Sequence, residues 1–81
     1  MNKKSVTKDE LFLVKLYHTA NVLGDCFQEV DRYAVGQAAG QNDRSVDNTV
    51  RLLAQMNFVK KGEGSAIFLT DLGKSLVNEL I

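Results

Sequence analysis

The sequence predicts a mainly α-helical domain carrying one small β-hairpin, and three observations support that expectation. Thr7-Lys8-Asp9-Glu10 has the form of a capping box, in which the Thr7 hydroxyl takes a first-turn amide and Glu10 reaches back to the Thr7 amide, so a helix starts there. Val46, Thr49, Val50, Leu53 and Met56 recur with the i, i+3, i+4, i+7 spacing of an amphipathic helix. Phe58-Val59-Lys60-Lys61 and Ala66-Ile67-Phe68-Leu69 read as two short strands joined through Gly62-Glu63-Gly64, a flexible hairpin tip.

The first helix is expected over about residues 8 to 23. Leu13, Leu16, Tyr17 and Ala20 share one face, Leu23 continues it, and Gly24 is placed to end it in the left-handed conformation. No clean period is readable from Gly24 to Val30. Asp31 is a cap for a second helix running through Tyr33, Val35 and Ala38 to Ala39, with Gly40 closing it. Gln41-Asn42-Asp43 is turn-forming, and Asn42 or Asp43 caps the third helix, which Asn57 ends as a left-handed residue. Thr70 and Asp71 start a last helix whose apolar face is Leu72, Leu76, Val77 and Leu80.

Composition narrows the function classes. At 81 residues, with 44% hydrophobic and 25% charged residues, the chain suits a single folded domain over residues 1–81 without a deep substrate cavity. Cys26 is the only cysteine, so no intrachain disulfide forms and a reducing, cytoplasmic setting fits best. Met1 to Lys8 holds basic residues with no apolar run behind them long enough for a leader, and no stretch reaches the roughly 20 residues of a membrane span, so no membrane partner is expected. Ten Lys and Arg balance ten Asp and Glu, yet the segment from Arg44 to Lys61 holds Arg44, Arg51, Lys60 and Lys61 against Asp47 alone. That local excess of three positive charges offers a polyanion one side of an otherwise slightly acidic chain.

Three helices, a hairpin and a final helix follow one another in that order. Gly36 and Gly40 lie four residues apart ahead of Val46 and the Thr49-Val50 pair. Leu53-Ala54-Gln55-Met56-Asn57-Phe58-Val59 ends a helix in Asn and opens a strand with an apolar pair, and Leu69-Thr70-Asp71-Leu72-Gly73-Lys74-Ser75-Leu76 has the form LTxxGxxL. Over about residues 33 to 77 the chain therefore resembles the winged helix-turn-helix family of bacterial regulators of the MarR and ArsR type. The resemblance implies a three-helix core with a two-stranded wing and a C-terminal helix. It also implies double-stranded DNA as partner and transcriptional regulation as role, with the third helix, about residues 44 to 56, in the major groove.

With Val46, Val50 and Leu53 turned inward, the opposite side of that helix presents Arg44, Ser45, Asp47, Asn48, Arg51 and Gln55. Arginine pairs with guanine O6 and N7, asparagine or glutamine with adenine, and serine donates or accepts, so Arg44, Ser45, Asn48, Arg51 and Gln55 are the candidate DNA contacts. Asp47 is able to accept from cytosine N4 but repels phosphates. Lys60 and Lys61 stand just before the hairpin tip, where a wing meets the backbone, and Glu63 departs from a basic tip.

Other features point away from chemistry. Gly73-Lys74-Ser75 resembles the end of a phosphate-binding loop, but Phe68 stands where its first glycine belongs. His18 has no second histidine nearby, and Cys26 has neither a CxxC partner nor an adjacent base. Phe27, Tyr33, Phe58 and Phe68 are read as core or wing-packing residues. No enzyme, metal or cofactor is therefore expected. The alternative to DNA binding is a protein-interaction or homodimerisation module using an apolar surface of Leu11, Phe12, Leu76, Val77, Leu80 and Ile81.

Overall fold

A computed structural model describes residues 6–81; the basic stretch Met1–Lys8, read above for a leader, lies partly outside the described residues. Four helices, α1 (Lys8–Leu23), α2 (Arg32–Ala39), α3 (Asp43–Gln55) and α4 (Asp71–Leu80), surround a small antiparallel sheet of β1 (Val30–Asp31), β2 (Val59–Lys61) and β3 (Ala66–Leu69). The strand order is β1-β3-β2. The hairpin is thus joined by a third strand that the sequence did not announce, with Val30 opposite Ile67 and Asp31 opposite Ala66. Two residues are too few to show a period of two, and only Val30 is buried. No described helix is long and apolar enough to cross a membrane.

Local chemistry accounts for the helix ends. Both bonds of the capping box are present, Glu10 N donating to Thr7 Oγ1 and Thr7 N to Glu10 Oε1. Asp31, Asn42 and Thr70 cap α2, α3 and α4 through side-chain oxygens that accept from Ala34, Ser45 and Gly73 amides. Gly40 closes α2 at φ 74° and Asn57 follows α3 at φ 64°. Gly24 departs from expectation: its φ of 167° is extended backbone, and it ends α1 by donating its amide to Ala20 and Asn21 carbonyls.

The core joins Phe12, Leu13, Leu16 and Ala20 of α1 to Val35, Val46, Val50 and Leu53 of α2 and α3, to Val30, Val59, Ile67 and Leu69 of the sheet and to Val77 of α4. Two glycines permit the closest approaches. A Cβ on Gly36 would fall 2.2 Å from Val46 Cγ2, and one on Gly73 would fall 2.2 Å from the Phe58 carbonyl oxygen. The first lets α2 lie against α3; the second lets α4 settle against the chain entering β2.

Four apolar residues expected inside are outside. Leu23, Ala38, Met56 and Leu72 are exposed, each within one residue of a helix end. Phe27, expected to pack, is also exposed, with Lys74 Nζ 5.6 Å from its ring centroid. Tyr33, Phe58 and Phe68 are half-buried, and Cys26 is buried.

Candidate nucleic-acid interface

The position of α3 is set by its inward face. Val46 and Val50 are fully buried and Leu53 nearly so. Thr49 adds a polar tether: its hydroxyl lies 3.2 Å from Asp9 Oδ1 and 3.3 Å from Gln41 Oε1. Buried Gln41 donates in turn from Nε2 to the Lys8 carbonyl at 3.3 Å. The turn between α2 and α3 is therefore fastened to the start of α1 by groups whose hydrogen bonding is satisfied, as burial requires.

Arg44, Asp47, Asn48, Arg51 and Gln55 all lie exposed on the opposite face. Neither Arg44 nor Arg51 enters an ion pair among the described residues. Arg51 Nη2 donates to Asn48 Oδ1 at 2.9 Å, a contact one helical turn apart that leaves the other guanidinium donors open. Ser45 is placed differently from its neighbours. It is half-buried, and its hydroxyl lies 3.4 Å from Gln41 Oε1, so it serves the turn as well as the surface.

Lys60 and Lys61 are both exposed on the edge strand β2, but they are not brought together. Successive strand residues point to opposite faces. Lys60 faces Phe68 across the strands and lines an open depression of about 630 Å³ with Phe27, Phe68 and Leu72, whereas Lys61 pairs in register with Ile67 at the end of the strand.

Asp47 is held by two residues from the start of α2. Tyr33 Oη donates to Asp47 Oδ1 at 2.8 Å, and Arg32 Nη1 lies 3.8 Å from the same oxygen. The accepted proton, with smaller contributions from burial and from the nearby negative charges, holds the Tyr33 phenol above its ordinary range. Arg32 also binds the far end of the hairpin, its backbone amide donating to the Ser65 carbonyl at 3.0 Å and its Nε to the same oxygen at 3.1 Å. Ser65 Oγ completes the link by donating to Asp31.

Sequence reasoning missed Arg32 and Tyr33, whose partners lie fourteen to thirty-three residues away. One local signal was present. Arg32 opens α2, where a cation opposes the helix dipole, and such a conflict points to a tertiary role.

The interaction surface expected at α1 and α4 is corrected by burial. Phe12 and Val77 are completely inside the core, and Leu11, Leu76 and Leu80 are half-buried, leaving Ile81 as the exposed member. Exposed apolar groups lie instead at Val22 and Leu23 near the end of α1, at Leu72, and at Leu52 on α3 and Met56 just after it. The last two border a cleft of about 180 Å³ shared with Leu13, Phe58 and Leu76.

No protein-family model matches the chain, and no curated protein matches it.

Proposed function

We propose that the chain is a winged helix-turn-helix domain that binds double-stranded DNA, with α3 in the major groove and the β2–β3 hairpin as a supporting wing, and that it acts as a transcriptional regulator without enzymatic activity. One observation carries this reading: α3 is fastened on its inner side while Arg44, Asn48, Arg51 and Gln55 stand exposed in one stripe, with both arginines free of ion pairs among the described residues. Arg44 and Arg51 are matched to guanine or phosphate, and Asn48 and Gln55 to adenine. The order of elements, with Gly36 and Gly40 at the α2–α3 turn and Gly73 behind the hairpin, supports the same assignment.

Few cations imply weak, salt-sensitive binding by a single copy, because each neutralised phosphate contributes about 0.9 to the slope of log affinity against log salt. Useful specificity then calls for a second copy or a protein partner. The test is a fluorescence titration of a random-sequence duplex at several salt concentrations, with the protein and its Arg44→Ala/Arg51→Ala variant. The variant is expected to bind more weakly and to lose about 1 to 2 units of slope; superimposable curves refute the reading.

A second reading, a protein-interaction or dimerisation module, is favoured by the exposure of Leu52 and Met56 beside the cleft formed with Leu76. Sedimentation of the protein and of Leu52→Ser/Met56→Ser, read beside the duplex titration, tests it. Self-association lost in the variant supports this module; a concentration-independent monomer in both removes self-association from it.

A further inference from the structure

A carboxylate on a surface meant for DNA is a liability unless it has a task. Asp47 lies on the exposed face of α3 one residue before Asn48, and at the helical spacings of three and four residues from Arg44 and Arg51. Its side chain is 52% exposed, while that of its cation Arg32 is only 12% exposed, so the charge pair straddles the boundary between interior and surface. Both contacts fall on Oδ1, from Tyr33 Oη and Arg32 Nη1. Oδ2 has no hydrogen-bond partner among the described residues.

Two consequences follow. A carboxylate that accepts from a phenol at one oxygen and has a guanidinium 3.8 Å from that same oxygen is restricted in orientation, so presenting its other oxygen to a ligand costs less further ordering than for a free side chain. Arg32, 3.8 Å from the carboxylate, also offsets part of the repulsion that Asp47 would otherwise exert on approaching phosphates.

What Oδ2 is able to accept is limited by the edges of the bases. Guanine and thymine offer acceptors in the major groove, and adenine sets its amino group beside the N7 acceptor, which repels a second carboxylate oxygen. Cytosine offers the N4 amine beside its own C5–H rather than beside a ring acceptor, and its guanine partner presents O6 and N7, the atoms that arginine prefers. Arg44 and Arg51 lie three residues before and four residues after Asp47.

We infer that Asp47, positioned by Tyr33 and Arg32, is a specificity-determining residue that accepts a hydrogen bond from the N4 amine of a cytosine, so that the domain selects a C·G pair at one place in its site. This rests on the DNA-binding reading above and adds to it a residue, a base and a positioning pair.

The test is selection from a random-sequence duplex pool followed by sequencing, run with the full chain, with Asp47→Ala and with Tyr33→Phe. The unsubstituted protein is expected to enrich cytosine at one position, by a factor on the order of ten over the next base. Asp47→Ala is expected to flatten that position while the rest of the enriched motif persists and overall retention of duplex rises, since a negative charge has gone. Tyr33→Phe keeps the ring but not the donor, and is expected to weaken the same position alone, an effect that a general loss of stability does not produce. If Asp47→Ala yields the same motif with cytosine intact, the inference falls and DNA binding stands. If Tyr33→Phe leaves the cytosine preference unchanged, the positioning role of the phenol falls. If the unsubstituted protein retains no duplex, the DNA-binding reading fails and takes this inference with it.

Discussion

Along α3, the inward and outward faces differ in how far each side chain is decided by its neighbours. Val46 lies against Gly36 in a contact with no room for one more carbon, and Val50 and Leu53 are buried in the core. On the other side Arg44 has no ion-pair partner among the described residues, and Arg51 bonds only to Asn48, on its own helix. Asp47 is the exception, an exposed residue tied to α2. The inward face sets where the helix sits, and the outward face keeps its donors for something else. Stability and recognition are therefore expected to respond to different substitutions on the same thirteen-residue helix.

That separation is open to attack first at Gly36. Alanine there gains up to about 1 kcal/mol of helix propensity but drives its Cβ into a valine whose χ1 is confined in a helix. A net destabilisation of about 2 kcal/mol is expected from overpacking, read by urea denaturation. Combining Gly36→Ala with Val46→Ala opens the space, so the double variant should be clearly less destabilised than the two single effects added. Strict additivity would mean that the two helices do not meet as described.

A smaller loss tests the end of α3. Thr70 accepts the Gly73 amide at 3.0 Å and donates to the Asn57 carbonyl, joining α4 to the residue that terminates α3. Thr70→Ala should lower stability by about 1 kcal/mol in the same assay, whereas Thr70→Ser should recover most of it.

Smaller still is the expected effect of Arg44→Ala/Arg51→Ala on folding, within about 0.5 kcal/mol, since exposed positions whose one contact is within their own helix rarely matter more. The same pair is expected to dominate the salt slope in the duplex titration. A large stability loss would break the proposed division between the faces.

The subtlest effect is pH-dependent. Bonding to Asp47 raises the Tyr33 phenol above its ordinary value of 10.0, so the bond contributes fully below that value and is lost as pH rises through the higher folded-state one. The difference in Tm between the protein and Tyr33→Phe should be flat from about pH 7 to 9 and shrink above about pH 10. A difference that grows with alkalinity contradicts the assigned donor.

Capping residues, a repeated apolar spacing and turn residues are local signals, and they made α1, α2, α3, α4 and the β2–β3 hairpin readable from the order of amino acids, with Arg44, Asn48, Arg51 and Gln55 on the outer side of α3. What needed the folded chain is of another kind. Strand β1 exists because β3 offers it an edge. Lys60 and Lys61 are neighbours in the chain but diverge across a strand. The Tyr33–Asp47–Arg32 cluster and its link to Ser65 join residues that no local pattern relates. Periodicity reports which way a side chain faces along its own element, whereas pairing between elements depends on distances that exist only after the core has closed.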